Sequence, residues 1–178
     1  MKKIALIIAL SSILGTGAVQ ASDDVPATLA ITGSVTSASA GCTIGFANPS
    51  VQMGERDMGV LPTQGQQTSI SGLTTVRADL IGDCTKSGQL SPSITFTGIP
   101  DDNEGNALLN SATGSAAATG LGVGIYDLAG EVISPNNGSR KATSADSIVF
   151  YVGMVKLKGV TGTPGQVQSS LTVQVDGL

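Results

Sequence analysis

Few residues in this chain could carry out covalent or metal chemistry, and its two cysteines are the first to consider. Cys42 and Cys84 are the only cysteines, and the sequence contains no histidine. A structural metal site usually needs more nitrogen and sulfur ligands than this, whereas two cysteines can form one intramolecular bridge. In an oxidising compartment such a pair is expected to be oxidised. We therefore predict a Cys42–Cys84 disulfide and no metal site.

Acidic residues are the other candidates for chemistry. Without histidine, the chain cannot form a Ser-His or Cys-His catalytic pair. Two carboxylates could act together, and the run Asp101–Glu104 is rich in acids. This run stands between Pro100 and Gly105, which is typical of a solvated turn, and it lacks the alternating acids of a calcium loop. We therefore predict no catalytic residue and no cofactor.

Two further patterns match known sites only in part. The run Gly120–Gly124 is rich in glycine, but its spacing is wrong for a nucleotide-binding loop and no helix follows, so it predicts close-packed or edge glycines. The triplet Asn137–Ser139 matches a glycosylation acceptor, but its neighbours are typical of a tight turn. Neither pattern predicts a ligand site.

The N-terminus has the features of a secretory signal peptide. Lys2 and Lys3 precede an apolar run, 4–14, and small residues lead up to a cleavage point after Ala21. The apolar run is too short to span a bilayer. We therefore expect residues 1–21 to be removed on export, with an uncleaved anchor as the alternative. The remaining residues are enough for one domain with its own core.

Charge argues against nucleic acid as a partner. The chain has 9 Lys and Arg against 13 Asp and Glu, and two of the basic residues, Lys2 and Lys3, would leave with the signal peptide, so the net charge becomes 7 − 13 = −6. No basic patch is available to neutralise phosphates. Charged residues make up only 12% of the sequence, and this low value suits packing against other protein.

Short alternating runs recur along the chain and predict β-strands. Gly- and Pro-rich turns separate the runs, and the stretch 111–119 is predicted to be a loop. This pattern favours one immunoglobulin-like β-sandwich. The apolar members of the runs are Val51 and Met53; Val76, Ala78 and Leu80; Ile94 and Phe96; Leu121, Val123 and Ile125; Ile148, Phe150, Val152 and Met154; and Leu171, Val173 and Val175.

The run 27–35, ahead of the first cysteine, is the most regular of these strands. Its apolar face is formed by Ala27, Leu29, Ile31, Gly33 and Val35, and small, mostly hydroxylic residues alternate with them. It could be an ordinary first strand of the sandwich. It could also be a strand that leaves its own domain to pair with a neighbouring molecule.

Taken together and in order, these segments resemble a known family. The match consists of the alternating extension with Gly33 inside it, the two cysteines with Asp83 before the second, the segment Gly122–Asp127 followed by Gly130, the late strand Ile148–Tyr151, the turn Thr163–Gly165 with Gly165 fourteenth from the C-terminus, and the final alternation Leu171, Val173 and Val175. The chain resembles a structural pilin of the chaperone–usher pathway, close to type 1 fimbrial subunits.

The resemblance implies both a fold and a function. Such subunits have an incomplete immunoglobulin-like sandwich, all-β, that lacks its final strand and is completed by a donor strand from another chain. Here residues 22–36 would be the N-terminal donor extension and 37–178 the pilin domain. Gly165, Leu171, Val173 and Val175 would belong to the C-terminal groove strand that pairs with a chaperone or a donor. The function would be polymerisation by donor-strand exchange into surface fibres for cell adhesion.

The same resemblance implies partners and a location. The partners would be other pilin subunits in a head-to-tail polymer, a periplasmic chaperone and an outer-membrane usher, and the chain would pass through the periplasm to a fimbrium on the cell surface. One departure is Gly177, where the family usually has an aromatic residue that helps the chaperone recognise the subunit. The alternatives are a tip-associated adhesin that binds a host receptor, or a self-contained secreted β-sandwich.

Overall fold

The computed structural model describes residues 24–25, 27–35, 43–82, 84, 92–141 and 147–176. The predicted signal peptide, Cys42 and Gly177 lie outside these residues. The described residues form twelve strands and two single-turn 3-10 helices, at Met58–Val60 and Ile70–Gly72. The strands are β1 (Asp24–Val25), β2 (Ala27–Val35), β3 (Thr43–Phe46), β4 (Ser50–Gln52), β5 (Arg56–Asp57), β6 (Thr74–Ile81), β7 (Ser93–Gly98), β8 (Leu108–Leu109), β9 (Leu121–Tyr126), β10 (Ser139–Lys141), β11 (Ser147–Lys156) and β12 (Val167–Asp176).

The predicted alternation decides which side chains enter the core. In β6 the side chains of Val76, Ala78 and Leu80 are buried, and the residues between them are exposed. Successive side chains of a strand point to opposite faces, so a period of two gives one buried and one solvated face. The apolar members predicted for β7, β9, β11 and β12 are buried too, and in β9 the residues between them are buried as well. These strand predictions are confirmed.

Two five-stranded sheets make up the sandwich. Their strand orders are β10-β7-β12-β2-β4 and β3-β6-β11-β9-β8, and β1 and β5 form a separate two-stranded ribbon. One apolar core contains residues of both sheets. At its centre the rings of Phe96 in β7 and Phe150 in β11 meet edge to face, with centroids 5.1 Å apart. The predicted all-β sandwich is confirmed.

The strand directions define two ends of the sandwich. We call the end at which β12 begins the upper end, and the end at which it finishes the lower end. Strand β2 runs parallel to β12, so it too begins at the upper end. Strand β11 finishes at the upper end, because Lys156 pairs with Leu121 at the start of β9 and the loop before β9 bridges to the residues just before β12. Strand β2 therefore finishes at the lower end.

The groove that the sequence predicts to be open is filled in this single chain. Strand β2 lies between β12 and β4 and completes their sheet. The predicted lack of a final strand, completed only from another chain, is therefore not what this single chain shows. The physical reason is that an empty groove would expose apolar side chains and unpaired backbone groups, and the chain's own N-terminal strand reaches it.

A second, smaller apolar cluster covers part of the outer face of the β6–β11–β9 sheet. It consists of Ala107, Tyr126 and Val155, with Leu73 and Leu157 among the residues packed on it. The ring of Tyr126 lies over Gly124, where an added Cβ would stand 2.7 Å from the Tyr126 hydroxyl. Glycine is therefore required there by close packing, as the sequence predicted.

Two other sequence expectations are also confirmed. The stretch 111–119 contains turns and bridges but no helix. The residues around Asn137 form a turn that Gly138 closes by donating its N–H to the carbonyl oxygen of Ser134 at 2.8 Å. Among the described residues, no helix is long and apolar enough to cross a bilayer.

Candidate functional site

The inward face of β12 forms one wall of the groove. It continues the predicted alternation to the start of the strand, and every member is at most 3% exposed. The inward residues are Val167, Ser169, Leu171, Val173 and Val175. Four are apolar and one is a small polar residue. The groove wall therefore begins at Val167 and includes two inward residues, Val167 and Ser169, that the sequence analysis did not name.

The extension β2 fills the groove in register with β12. Its pairs run from Ala27 with Val167 to Val35 with Val175, and this is the only parallel pair of strands in the described part of the chain. Leu29 and Ile31 are 0% and 1% exposed, and Ala27 is also buried. Burying each of the two larger side chains stabilises the folded chain by about 1.5–3 kcal/mol.

For two predicted members of this face, the structure gives the backbone pairing but not the burial of the residue. Gly33 pairs with Val173 and Val35 pairs with Val175. The side chain of Val35 lies outside what the structure describes. The structure thus brings the predicted extension and the predicted end of β12 together as neighbouring strands of one sheet.

Strand β4 borders the other side of the extension. Leu29 pairs with Val51, and the Thr28 hydroxyl donates to the Gln52 side-chain oxygen at 2.9 Å. The backbone N–H of Ile31 donates to the carbonyl oxygen of Pro49 at 2.7 Å. The first half of the extension is therefore held by backbone hydrogen bonds on both edges. This arrangement buries its polar groups without leaving them unpaired.

Ser169 is a residue of the groove that sequence reasoning missed. Its hydroxyl donates to the carbonyl oxygen of Leu109 in β8 at 2.7 Å, so the buried polar group is satisfied. Ser169 pairs in register with Leu29, so a small side chain of β12 lies beside a large side chain of β2. The sequence does contain a signal for this residue, because Val167 and Ser169 continue the alternation of Leu171, Val173 and Val175 toward the N-terminus. The signal is weak because Ser169 is polar and interrupts the run of apolar residues.

Gly165 does not belong to the groove strand, contrary to the prediction. It lies two residues before β12 and has a φ of +155°. An added Cβ would stand 2.6 Å from the carbonyl oxygen of Ala116 and from the backbone nitrogen of Ala118. Its role in the fold is to let the chain pass close to the loop 116–118 before β12 begins.

The cysteine prediction is supported for the half of the pair that the structure describes. Cys84 is disulfide-bonded and 4% exposed. Its predicted partner, Cys42, lies outside the described residues, so the pairing of these two residues stays a prediction.

The run Asp101–Glu104 is a turn, but the prediction that it is solvated is wrong for Asp101. This residue is 3% exposed. One carboxylate oxygen accepts the backbone N–H groups of Asn103 and Glu104 at 3.0 Å each. The other accepts the Gln64 amide at 3.1 Å and the Ala107 N–H at 3.2 Å. Asp102, the next residue, is exposed as predicted.

The hydrogen bonds explain the acidity of this carboxyl group. Burial acts to raise the pKa of Asp101, but the N–H donors of Glu104, Gln64, Ala107 and Asn103 together outweigh it and hold the pKa below its ordinary value. Nearby, the Lys158 ammonium lies 2.7 Å from the Glu104 carboxylate and lowers the pKa of Glu104. The arrangement joins three loops, and both oxygens of the Asp101 carboxylate are paired with donors of the protein itself.

Nothing in the described residues gathers three or more side chains of the kind that bind a metal. The acidic groups that come together do so in hydrogen bonds and ion pairs with the protein itself. The groove and the strand that fills it form the candidate site, because each could bind another protein molecule. What they can do is pair with a strand.

Comparisons with known proteins agree with this candidate. The family model described as Fimbrial protein matches residues 29–176, from within β2 to the end of β12. Long polar fimbria protein A of Salmonella typhimurium (strain LT2) is 24% identical over 153 residues, which cover 85% of this chain and 83% of that protein. The matched range thus includes most of the extension and the whole groove wall.

Proposed function

Because the chain belongs to the fimbrial protein family, whose members are structural subunits of surface pili, we propose that its subunits join by donor-strand exchange. This role is structural rather than enzymatic. In this mechanism the extension of one subunit leaves its own groove and fills the groove of another. The observation that carries the proposal is strand β2, an N-terminal strand in which Ala27, Leu29 and Ile31 are buried and which pairs with β12 in the only parallel arrangement among the described strands.

The direction of pairing decides what exchange would build. The extension is attached to its body at the lower end. If it entered another subunit parallel to β12, the two lower ends would face each other, and reciprocal exchange would close a two-fold dimer. If it entered in the reverse direction, the lower end of one subunit would meet the upper end of the next. That joint does not close on itself and builds a fibre.

We therefore propose that the strand reverses its direction between the isolated subunit and the pilus. Antiparallel ladders are slightly more stable per residue than parallel ones, so a reversed donor from a neighbour can displace the subunit's own strand. The apolar residues predicted for donor pairing, Ala27, Leu29, Ile31, Gly33 and Val35, would then face Leu171, Val173 and Val175 of the next subunit.

A chaperone and an usher fit the same proposal. A groove from which the extension has been withdrawn would expose a row of apolar side chains and the free edge of β12, which is an aggregation hazard. We propose that a periplasmic chaperone covers this edge during export and that an outer-membrane usher delivers the subunit to the growing fimbrium on the cell surface. Both steps rest on the family resemblance.

A disulfide lock tests the proposal. Ala30 and Ser170 are exposed and lie opposite each other in the register of β2 and β12. In the double variant Ala30→Cys/Ser170→Cys, an oxidised bridge would hold the extension in its own groove. We expect cells that export this variant to display no fibres by electron microscopy. The single variants Ala30→Cys and Ser170→Cys should assemble normally and serve as controls.

The same experiment distinguishes donor-strand exchange from a second candidate function. Since the chain's own strand completes its sheet, the subunit could also be a self-contained sandwich that assembles through surface contacts alone. Fibres of normal length from the locked variant, with the bridge verified by mass spectrometry, would favour that candidate and overturn donor-strand exchange.

A further inference from the structure

The large apolar side chains that stay exposed are not scattered over this molecule. Within the part of the chain that the structure describes, five such side chains are exposed, and each lies at or just beyond an end of a strand. Three lie at the upper end: Val60 (74% exposed), Ile99 (63%) and Val160 (47%). Two lie at the lower end: Ile81 (57%) and Leu128 (53%). We call these the upper set and the lower set.

The topology fixes the position of the upper set. Ile99 directly follows β7, which runs toward the upper end and finishes at Gly98, opposite Leu171 of β12. Val160 closes the turn after β11, where its N–H donates to the carbonyl oxygen of Leu157. Val60 ends the 3-10 turn after β5, and Thr63, three residues on, bridges to Lys156 at the upper end of β11. All three residues therefore lie on the side of the sandwich that faces the upper end.

The lower set is placed with equal clarity. Ile81 is the last residue of β6 and pairs with Thr43 at the start of β3. Leu128 lies in the turn after β9, which Gly130 closes by donating its N–H to the carbonyl oxygen of Asp127. Both strands run toward the lower end.

The exposed residues on the outward faces of β6 and β12 are different in character. On β6 the exposed residues above Ile81 are Thr75, Arg77 and Asp79, and Arg77 and Asp79 form an ion pair. On β12 they are Gln168 and Ser170. Lone exposed apolar residues are ordinary on protein surfaces. Their restriction to the two ends, with polar residues along these strand faces, is what needs an explanation.

We propose that the upper set of one subunit contacts the lower set of the next copy of this chain along the fibre. The proposal rests on the donor-strand exchange proposed above. In that mechanism the reversed strand crosses from the lower end of the donor to the upper end of the recipient. It therefore brings the bodies of two copies together at the two faces that carry exposed apolar residues.

A recess beside Val60 gives this contact a place to form. A cavity of about 260 Å³ is bordered by Val60 and lined by Leu61, Leu73 and Met154, among others. It lies in the upper half of the molecule, next to the residues of β11 that follow Val152. An apolar side chain of the lower set of the neighbouring copy would fit its lining, and filling it would remove Val60 from water.

Charged substitutions at the upper end test the contact. Val60→Asp and Val160→Asp alter side chains that are exposed in the isolated subunit, so each variant should fold normally. In the fibre each would place a carboxylate in an apolar contact, and we expect assembly of the full chain to fall about tenfold or more, measured as fibre mass per cell. Thr75→Asp, an exposed change on the side of the sandwich, is the control and should assemble as the wild type does.

A second measurement separates this contact from strand exchange itself. A fluorescent peptide of residues 22–36, added in excess, can displace β2 and take its place in the groove without bringing a second body. We expect the wild type, Val60→Asp and Val160→Asp to take up this peptide equally. Equal uptake together with wild-type assembly of both variants would overturn the end-to-end contact. If the wild type takes up no peptide, strand exchange fails, and the contact that depends on it fails too.

A charge pair provides the positive test. Adding Ile81→Lys to Val160→Asp would set a cation on the lower end against the new carboxylate on the upper end of the neighbouring copy. We expect the double variant to recover a large part of the assembly that Val160→Asp loses. Recovery by Thr75→Lys instead of Ile81→Lys would contradict the proposed partner face.

Discussion

The carboxylate of Asp101 shows how one residue can hold distant parts of the chain together. It accepts two N–H groups from its own turn, one from Ala107, and one from the side chain of Gln64. The other end of the Gln64 amide accepts the backbone N–H of Lys158 at 2.8 Å. Three loops at the upper end therefore depend on a single buried acid.

We expect Asp101→Asn to lower the free energy of unfolding by about 2–4 kcal/mol, because an amide NH₂ would face N–H donors in place of an acceptor. Chemical denaturation of the two proteins at neutral pH measures the difference. Asp102→Asn is the matched control, since Asp102 is exposed, and it should change the stability by less than about 0.5 kcal/mol. Equal effects of the two substitutions would contradict the role given to Asp101.

The same carboxylate predicts a dependence on pH. The folded protein holds the pKa of Asp101 below its ordinary value of 3.8. Its contribution to stability is therefore complete above that ordinary value and is lost as the pH falls through the lower folded-state pKa. We expect the difference in stability between the wild type and Asp101→Asn to shrink as the pH is lowered below about 4. Denaturation curves at a series of acid pH values would reveal it.

Tyr126 poses the opposite case, a buried polar group without a partner. Its hydroxyl has no hydrogen-bond partner among the described residues, and burial raises the pKa of Tyr126 to about 12. We expect Tyr126→Phe to leave the free energy of unfolding unchanged or to raise it by about 1 kcal/mol, because it removes an unpaired buried group. A loss of more than about 1 kcal/mol would show that the hydroxyl is bonded. Tyr151→Phe, on the neighbouring strand, is the comparison.

Strand β2 has residues exposed to water and residues buried in the groove. Ala30 faces water, whereas Leu29 and Ile31 enter the groove. We expect Ile31→Asp to lower the stability of the isolated subunit by about 3 kcal/mol or more and to prevent fibre formation, since it buries an unpaired charge. Ala30→Asp, one residue earlier and exposed, should do neither. Thermal unfolding and electron microscopy measure the two effects, and normal fibres from Ile31→Asp would contradict the placement of this face.

Local patterns predicted the strands well and their partners poorly. The bounds of β2 and its apolar face follow from strict alternation over 27–35. That alternation reads the same in both directions, so it cannot say whether the strand runs parallel or antiparallel to β12, or in which molecule. The start of β12 was missed because Ser169 breaks the apolar pattern, although its hydroxyl is satisfied by Leu109.

Asp101 was misjudged for a related reason. A turn between Pro100 and Gly105 is a local property, and the turn is present. Its burial comes from Gln64, which is 37 residues away in sequence. No short window of sequence contains both groups. Contacts of this kind arise from packing of the whole fold.

The predicted disulfide acts on the molecule as a whole. Cys84 is disulfide-bonded, and pairing with Cys42 would close a loop that contains β3, β4, β5 and β6. In the chain-entropy model such a loop contributes roughly 4 kcal/mol, mainly by restricting the unfolded chain. We expect Cys42→Ser/Cys84→Ser to lower the free energy of unfolding by about that amount. Peptide mapping of the non-reduced protein tests the pairing itself, and two free thiols after unfolding would contradict it.

The extension and the groove wall lie in separate segments near opposite ends of the chain, 27–35 and 167–176. If subunits exchange strands, damage to each segment has its own phenotype in a mixed population. A copy faulty only in the extension could still be filled by a neighbour but could complete none, whereas a copy faulty only in the groove wall could complete a neighbour but could not be filled. Either kind, expressed as a minority beside normal copies, would act as a chain terminator, and the two kinds would stop growth from opposite tips.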